Sequence, residues 1–236
     1  PITPPTQDMI LGSYYLTHPG VEERNTYAEK GDGKVFTDLD EMLMAYQNGT
    51  VGIHAKVKVR MFLDGDERGR LVESTVGRFI FNQGIPQDLG FVDRAADPYS
   101  LEVDFLCDKK KLGLIIDKCY RVHGNTGTVI MLDYIKSMGY KYSTKAAVTI
   151  SVSDMEIPAE KEAIISAAEA EVDKYEKAFR MGLMSAQERY EAIIKIWSKA
   201  TDDVADALMA SLGTLNNLFI MANSGARGSK NQIKQV

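Results

Sequence analysis

The sequence predicts an α+β protein in which a small mixed sheet-and-helix domain, residues 1–155, precedes a long antiparallel helical hairpin within residues 156–236. Three patterns predict it. Residues 52–61 alternate apolar and polar side chains with the period of a half-buried strand. After Ile157 the apolar residues recur at spacings of four and three, the period of a helix. Gly182-Leu183-Met184 then interrupts that run, and Ser185-Ala186-Gln187-Glu188 has the spacing of a capping box that opens a second helix.

The first domain reads as follows. Residues 7–17 mix apolar and aromatic side chains after a proline-rich entry, as a short helix or extended segment packed on the domain would. Residues 19–34 turn to glycine, charge and asparagine and form a surface loop. Asp38 and Glu41 have the spacing of an N-terminal cap pair. Leu39, Met42, Leu43 and Tyr46 then share a helical face, and Asn48-Gly49 ends the helix. In the alternating strand, Ile53, Ala55, Val57, Val59 and Met61 take one face. His54, Lys56, Lys58 and Arg60 take the other, which is either solvated or open to phosphate.

Residues 64–69 form a turn, and the run from Leu71 through Val76 to Phe81 is the expected partner strand. Residues 83–111 lack a sustained period and read as loop with short elements. Leu112, Ile115, Ile116, Cys119 and Val122 make a helical stripe that Gly124 ends. Thr128 caps a further helix, with Val129, Leu132 and Ile135 inward and Gly139 at its end. Val148, Ile150 and Val152 alternate with Thr149 and Ser151, which returns the chain to the sheet.

In the hairpin, Ile164, Ala168, Val172, Tyr175 and Phe179 line the first helix behind Pro158, a favoured first helical residue. Tyr190, Ile193, Ile194, Trp197, Val204, Leu208 and Leu212 line one side of the second. Each arm is about 35 Å long at 1.5 Å per residue, so the tip at Gly182 to Ser185 is expected to project beyond the first domain. Charges such as Glu169, Asp173, Lys174, Lys177 and Arg180 favour an exposed hairpin over a helix pair inside a helical domain.

Composition narrows the function. Of 236 residues, 44% are hydrophobic and 26% charged, enough for one or two packed cores. A net charge of −5 argues against a free-standing nucleic-acid binder, so any such contact is local. Cys107 and Cys119 cannot supply a disulfide framework, and with no leader pattern they point to a cytoplasmic location. No apolar run approaches the roughly 20 residues that span a bilayer. The opening Pro1-Ile2-Thr3-Pro4-Pro5 and the plain ending Gln235-Val236 are expected to be cuts in a longer polypeptide.

Catalytic constellations are not found. His18, His54 and His123 have no serine or cysteine at a recognisable motif spacing, and no Gly-Lys-Thr phosphate loop is present. Asp64-Gly65-Asp66 suits a turn. Arg68 and Thr75 stand where a calcium loop needs an oxygen ligand and a glutamate, so no metal site is expected there. Near the end, Asn223-Ser224-Gly225-Ala226-Arg227-Gly228-Ser229 frees the backbone around one arginine, with Lys230, Gln232 and Lys234 beyond it. From composition alone this is equally a polar tail.

That segment, continued as Gln232-Ile233-Lys234-Gln235, resembles one just past the rim helices in the beta-prime (largest) subunit of bacterial RNA polymerase. Gln7 to Gly12 with Tyr14 to Thr17, Thr75 to Arg78, Ile157-Pro158 with Lys161, and Glu188-Arg189-Tyr190 resemble the same family in the same order. The resemblance implies the pore domain for residues 1–155, and the funnel with its rim-helix hairpin and arginine-bearing segment for 156–236. It implies a nucleotidyltransferase as the whole enzyme, with an isolated fragment that is inactive because the Asp-Phe-Asp-Gly-Asp motif for catalytic Mg2+ is absent. No cofactor belongs to this segment. Gln7 and Arg227, with Lys230 and Lys234, would face the secondary channel that admits nucleoside triphosphates and receives the backtracked RNA 3′ end.

Gly182, Leu183, Met184 and Ser185 would form the tip where transcript-cleavage factors and related regulators dock, with Glu191 and Lys195 nearby. Proteobacterial relatives carry an Asn-Lys pair and a later aspartate after Glu-Arg-Tyr. This sequence has Glu191, Ala192 and Lys195 there, so the resemblance implies factor docking without their guanosine-tetraphosphate site. Partners would be the beta, alpha, omega and sigma subunits, with DNA met only in the whole enzyme and no membrane. The competing reading is a stand-alone interaction module built on the hairpin, with no nucleotide role.

Overall fold

The structure, a computed structural model, describes residues 4–20, 29–63, 66 and 68–233, with the Lys230 side chain excepted. It is an α+β protein and divides into two units. The first comprises Pro1–Thr149 and Ile220–Arg227, the second Ile150–Phe219 and Gly228–Val236.

The first unit opens with α1 (Asp8–Thr17), buried on nearly every side. A two-residue strand β1 (Val35–Phe36) and α2 (Leu39–Gln47) follow. Asp38 caps α2 by accepting the Glu41 N–H at 2.7 Å, while the Glu41 carboxylate accepts from the N–H and hydroxyl of Thr37. Strand β2 (Lys56–Met61) runs parallel to β1 and antiparallel to β3 (Arg70–Thr75), which makes a three-stranded sheet in the order β1-β2-β3. Ala55, Val57 and Val59 on the inner face are fully buried. The loop expected at 19–34 and the turn at 64–69 lie in part outside the described residues, which omit 21–28, Asp64, Gly65 and Glu67.

The expected long partner strand is a strand and a helix. At Thr75 the chain switches from β3 to α3 (Val76–Asn82), because the Thr75 hydroxyl accepts the Arg78 N–H and opens a helix. Val76, Phe79, Ile80 and Phe81 enter the core from that helix. His54 also departs from the expected outer face. It is 4% exposed, packed edge-on to Tyr15 and 5.5 Å from the His18 ring, because the regular strand begins only at Lys56.

Residues 83–108 connect to a long helix, α4 (Lys109–Ala146), capped by Asp108 and broken at Gly124, where φ is 64° and ψ −161°. The break falls where the sequence places it. Thr128 does not cap the second part: its hydroxyl donates back to the Gly124 carbonyl. Val122 and Val129 are exposed, and Gly139 lies inside the helix. Its reason for being glycine is α1. A Cβ on Gly12 would lie 1.8 Å from the Gly139 carbonyl oxygen, and one on Gly139 would lie 2.6 Å from that of Met9. The two helices therefore cross backbone to backbone.

The segment 147–151 forms no strand; Ile150 and Val152 are exposed, and a capped 3-10 turn follows at Val152–Asp154. Ser151 and Asp154 make that local turn in place of a ladder. In the second unit, α5 (Lys161–Arg180) and α6 (Ala186–Ser211) pack together. Pro158 precedes α5 by one turn. Short helices α7 (Asn217–Ser224) and α8 (Lys230–Ile233) end the described chain.

Two measurements check this packing. In denaturant titration of the chain, Gly12→Ala is expected to cost about 3 kcal/mol by forcing two backbones apart. Gly113→Ala, with open space at the new Cβ in the same α4, should gain about 0.5–1 kcal/mol. The second concerns pH. Burial first, and the nearby His18 second, lower the His54 pKa from 6.5 to about 4. The unfolded chain thus binds a proton that the folded chain refuses. Stability should be complete above pH 6.5 and fall by up to about 3 kcal/mol as pH drops toward 4. His54→Phe should flatten that slope.

Candidate functional site

The arginine-bearing segment is fixed at several points in the first unit. Ile220 packs with Leu11 and Tyr14 of α1, and Met221 and Ala226 pack against the same cluster. The Asn223 side-chain amide donates to the Tyr14 hydroxyl at 2.8 Å. Buried Ser224 donates its hydroxyl to the Met221 carbonyl and accepts the Ala226 N–H. Gly225 and Gly228 both take left-handed backbone, with φ of 69° and 78°. Those two turns bracket Arg227, and a Cβ on Gly225 would press on the Lys109 side chain at 3.3 Å.

The Arg227 side chain is 51% exposed and its Nε donates to Asp8 Oδ1 at 3.0 Å. Asp8 is the first residue of α1, and Gln7 is its N-cap. The structure thus brings Gln7 and Arg227 to one place, through Asp8. Gln7 is exposed, holds an unusual φ of 48° and spends no side-chain hydrogen bond on the cap. Its backbone carbonyl accepts from Ile10 and Leu11 instead. Of Lys230 only the backbone is described, at the start of α8, and Lys234 lies outside the described residues.

The hairpin tip belongs to the second unit. Gly182 takes φ of 74°, its N–H donates to the Phe179 carbonyl, and the Leu183 N–H donates to that of Ala178, which closes α5. Ser185 and Glu188 form the full capping box of α6. The Ser185 N–H and hydroxyl hold the Glu188 carboxyl below its usual pKa. Leu183 is 76% exposed, and Met181 and Ser185 are exposed with it, while Met184 is half-buried. The Arg189 guanidinium lies 4.4 Å over the Phe179 ring and 3.5 Å from Glu176, which fixes the register of the two helices at the tip.

One expected stripe is corrected in part. Ile193, Val204 and Leu208 are half-buried and Leu212 is buried, as expected, whereas Tyr190, Ile194 and Trp197 are exposed, and Ala192, Ile196, Ala200 and Ala205 complete the inner side. Glu191 and Lys195 flank the exposed stripe and line an open groove with Tyr190, Ile194 and Ser198.

Two family patterns cover this chain: RNA polymerase Rpb1, domain 3, matches residues 1–155, and RNA polymerase Rpb1, domain 4, matches residues 169–236. The chain belongs to the RNA polymerase Rpb1 family. All 236 residues align with the DNA-directed RNA polymerase subunit beta' of Alkaliphilus oremlandii at 65% identity, of Alkaliphilus metalliredigens at 61% and of Clostridioides difficile at 60%. The chain spans 20% of the length of each of these relatives.

In this Rpb1 segment, the residues that carried the resemblance pack and bond. Gly12 makes the α1–α4 crossing, and a Cβ on Gly77 would lie 2.0 Å from the Leu16 carbonyl oxygen. Arg78 donates its Nε to the Thr17 carbonyl at the end of α1 and pairs with Asp104 at 3.0 Å. Among the described residues no three His, Cys, Asp or Glu side chains gather as metal ligands. Asp66 accepts from the Arg68 N–H and the Tyr99 hydroxyl, as a turn carboxylate does. Cys107 and Cys119 are free and buried, the former pushed up to about 12 by burial, which keeps its thiol inert. No helix among the described residues is long and apolar enough to cross a membrane.

Sequence reasoning missed Asp8, whose only sequence signal is its place at the start of a helix. At the tip, Ser185→Ala is expected to cost about 1 kcal/mol and to speed amide exchange at residues 186–188, whereas Leu183→Ala should leave exchange there unchanged.

Proposed function

We propose that this chain lines the secondary channel of a cytoplasmic DNA-directed RNA polymerase as part of its beta-prime subunit, and that its hairpin tip docks regulators. Membership of the Rpb1 family supports the setting, together with relatives named as subunit beta'. One observation carries the nucleotide role: Arg227 stands on a fixed backbone against Asp8, the residue after Gln7, with its terminal guanidinium nitrogens lacking partners among the described residues. A guanidinium is always charged, and its open end can grip phosphate oxygens with two parallel hydrogen bonds. Its ligands in this reading are nucleoside triphosphates and the backtracked RNA 3′ end, with Lys230 and Lys234 adding positive potential.

Regulator docking is supported by the exposed Leu183 beside a rigid capping box, a shape an apolar partner surface can cover. Transcript-cleavage factors are the class proposed. The remaining partners are the other polymerase subunits, and Mg2+ and DNA contact belong to the whole enzyme. Glu191 and Lys195 would border the docked regulator without binding guanosine tetraphosphate.

The test uses polymerase assembled with the full-length subunit. Arg227→Ala is expected to raise the nucleotide KM about threefold to tenfold, an effect that weakens as salt rises. Leu183→Ser should weaken cleavage-factor binding with little salt dependence. Unchanged nucleotide kinetics for Arg227→Ala, with factor binding lost on Leu183→Ser, would favour the pure interaction module.

A further inference from the structure

We infer that Asp8 is a positioning residue for Arg227, holding the guanidinium by Nε so that its Nη1–Nη2 end stays free for phosphate. The inference rests on the channel reading above and adds the residue that orients the cation.

The contact is a single one. Asp8 Oδ1 receives the Arg227 Nε at 3.0 Å, and neither terminal nitrogen is engaged by Asp8 or by any other described residue. A carboxylate that gripped the fork with both oxygens would occupy the face that phosphate needs; this one takes the side of the guanidinium and leaves the fork. The two partners lie 219 residues apart in the chain, yet each stands on fixed backbone. Asp8 begins α1, which crosses α4 at Gly12. Arg227 sits between the left-handed turns of Gly225 and Gly228, behind the Asn223–Tyr14 hydrogen bond.

Stability does not account for the pair. Its side chains are 51% and 39% exposed, and a half-exposed ion pair adds little to folding. It does restrict a long side chain that would otherwise sample many rotamers, and a restricted arginine meets phosphate at a smaller entropic loss. Gln7 strengthens the assignment. Its φ of 48° is uncommon for a residue with a side chain, and it points to a local requirement at the turn that delivers Asp8.

The experiment measures nucleotide KM and kcat in polymerase assembled with the full-length subunit carrying Asp8→Ala, Asp8→Asn, Arg227→Ala or both alanines. Asp8→Ala should raise KM about threefold to tenfold and hold kcat within about twofold. Asp8→Asn, which keeps an oxygen acceptor for Nε, should recover most of that loss. In the Arg227→Ala background, Asp8→Ala should change nothing further. A KM unaffected by Asp8→Ala, beside one raised by Arg227→Ala, overturns the positioning role and leaves the channel reading in place; fully additive effects do the same. A silent Arg227→Ala overturns both. If the Asp8→Ala chain fails to assemble, Asp8→Ser keeps a polar first turn that cannot reach Nε, and the same outcomes decide.

Discussion

The first unit depends on a backbone contact. Where α1 crosses α4, Gly12 and Gly139 leave no room for a methyl group, and the helices approach more closely than side chains would permit. Such an approach is possible only if polar groups in the contact are satisfied within the helices. Ser13 and Thr17 donate their hydroxyls to the Met9 and Ser13 carbonyls one turn back, which serves that end. A helix gripped in this way becomes a fixed object inside the unit. Its opposite side carries Leu11 and Tyr14, on which residues 220–226 pack, and its first residue carries the carboxylate that meets Arg227.

The far end of α1 is tied with equal care. The Cys107 N–H donates to the Thr17 hydroxyl, Arg78 donates to the Thr17 carbonyl, and Gly77 admits the Leu16 carbonyl against α3. Terminal carbonyls of a helix need partners, and Arg78 of α3 supplies one to Thr17. The sheet enters through α3, since Thr75 ends β3 and caps that helix with one side chain. Strand, helix and connecting loop are therefore joined at the end of α1 by polar contacts whose removal would leave buried groups unpaired.

Local features were legible in the sequence, and distant ones were not. The Asp38 cap, the Ser185 capping box and the inner face of β2 are set by residues within four positions of one another, so spacing reveals them. The stretch after Thr75 misleads because a short apolar run suits a buried strand and a buried helix equally. On α6 the period is right and the face is right in part: Ile193, Val204, Leu208 and Leu212 turn inward as expected, while Tyr190, Ile194 and Trp197 stay exposed and Ala200 and Ala205 are buried. Residues 83–108 are held by long-range pairs, Asn82 with Val103 and Arg94 with the buried Glu102, that no periodicity announces. At the candidate site the glycines around Arg227 were readable, while Asp8 and the Tyr14 anchor needed the fold.

Rigidity and the proposed recognition rest on different kinds of contact. Glycine crossings, buried caps and the Tyr14 anchor hold the backbone, and each is costly to disturb. The Asp8–Arg227 pair and the outer stripe of α6 are exposed, and an exposed ion pair of this type contributes about 0–1 kcal/mol to folding. In the proposed channel role, a cation that meets phosphate would benefit from that division. Were it locked by a strong buried pair, its charge would be neutralised and its donors consumed; were its backbone loose, each binding event would have to order it. A weak lateral contact on a firm base avoids both penalties, so Arg227 keeps its charge outward while its position is inherited from α1.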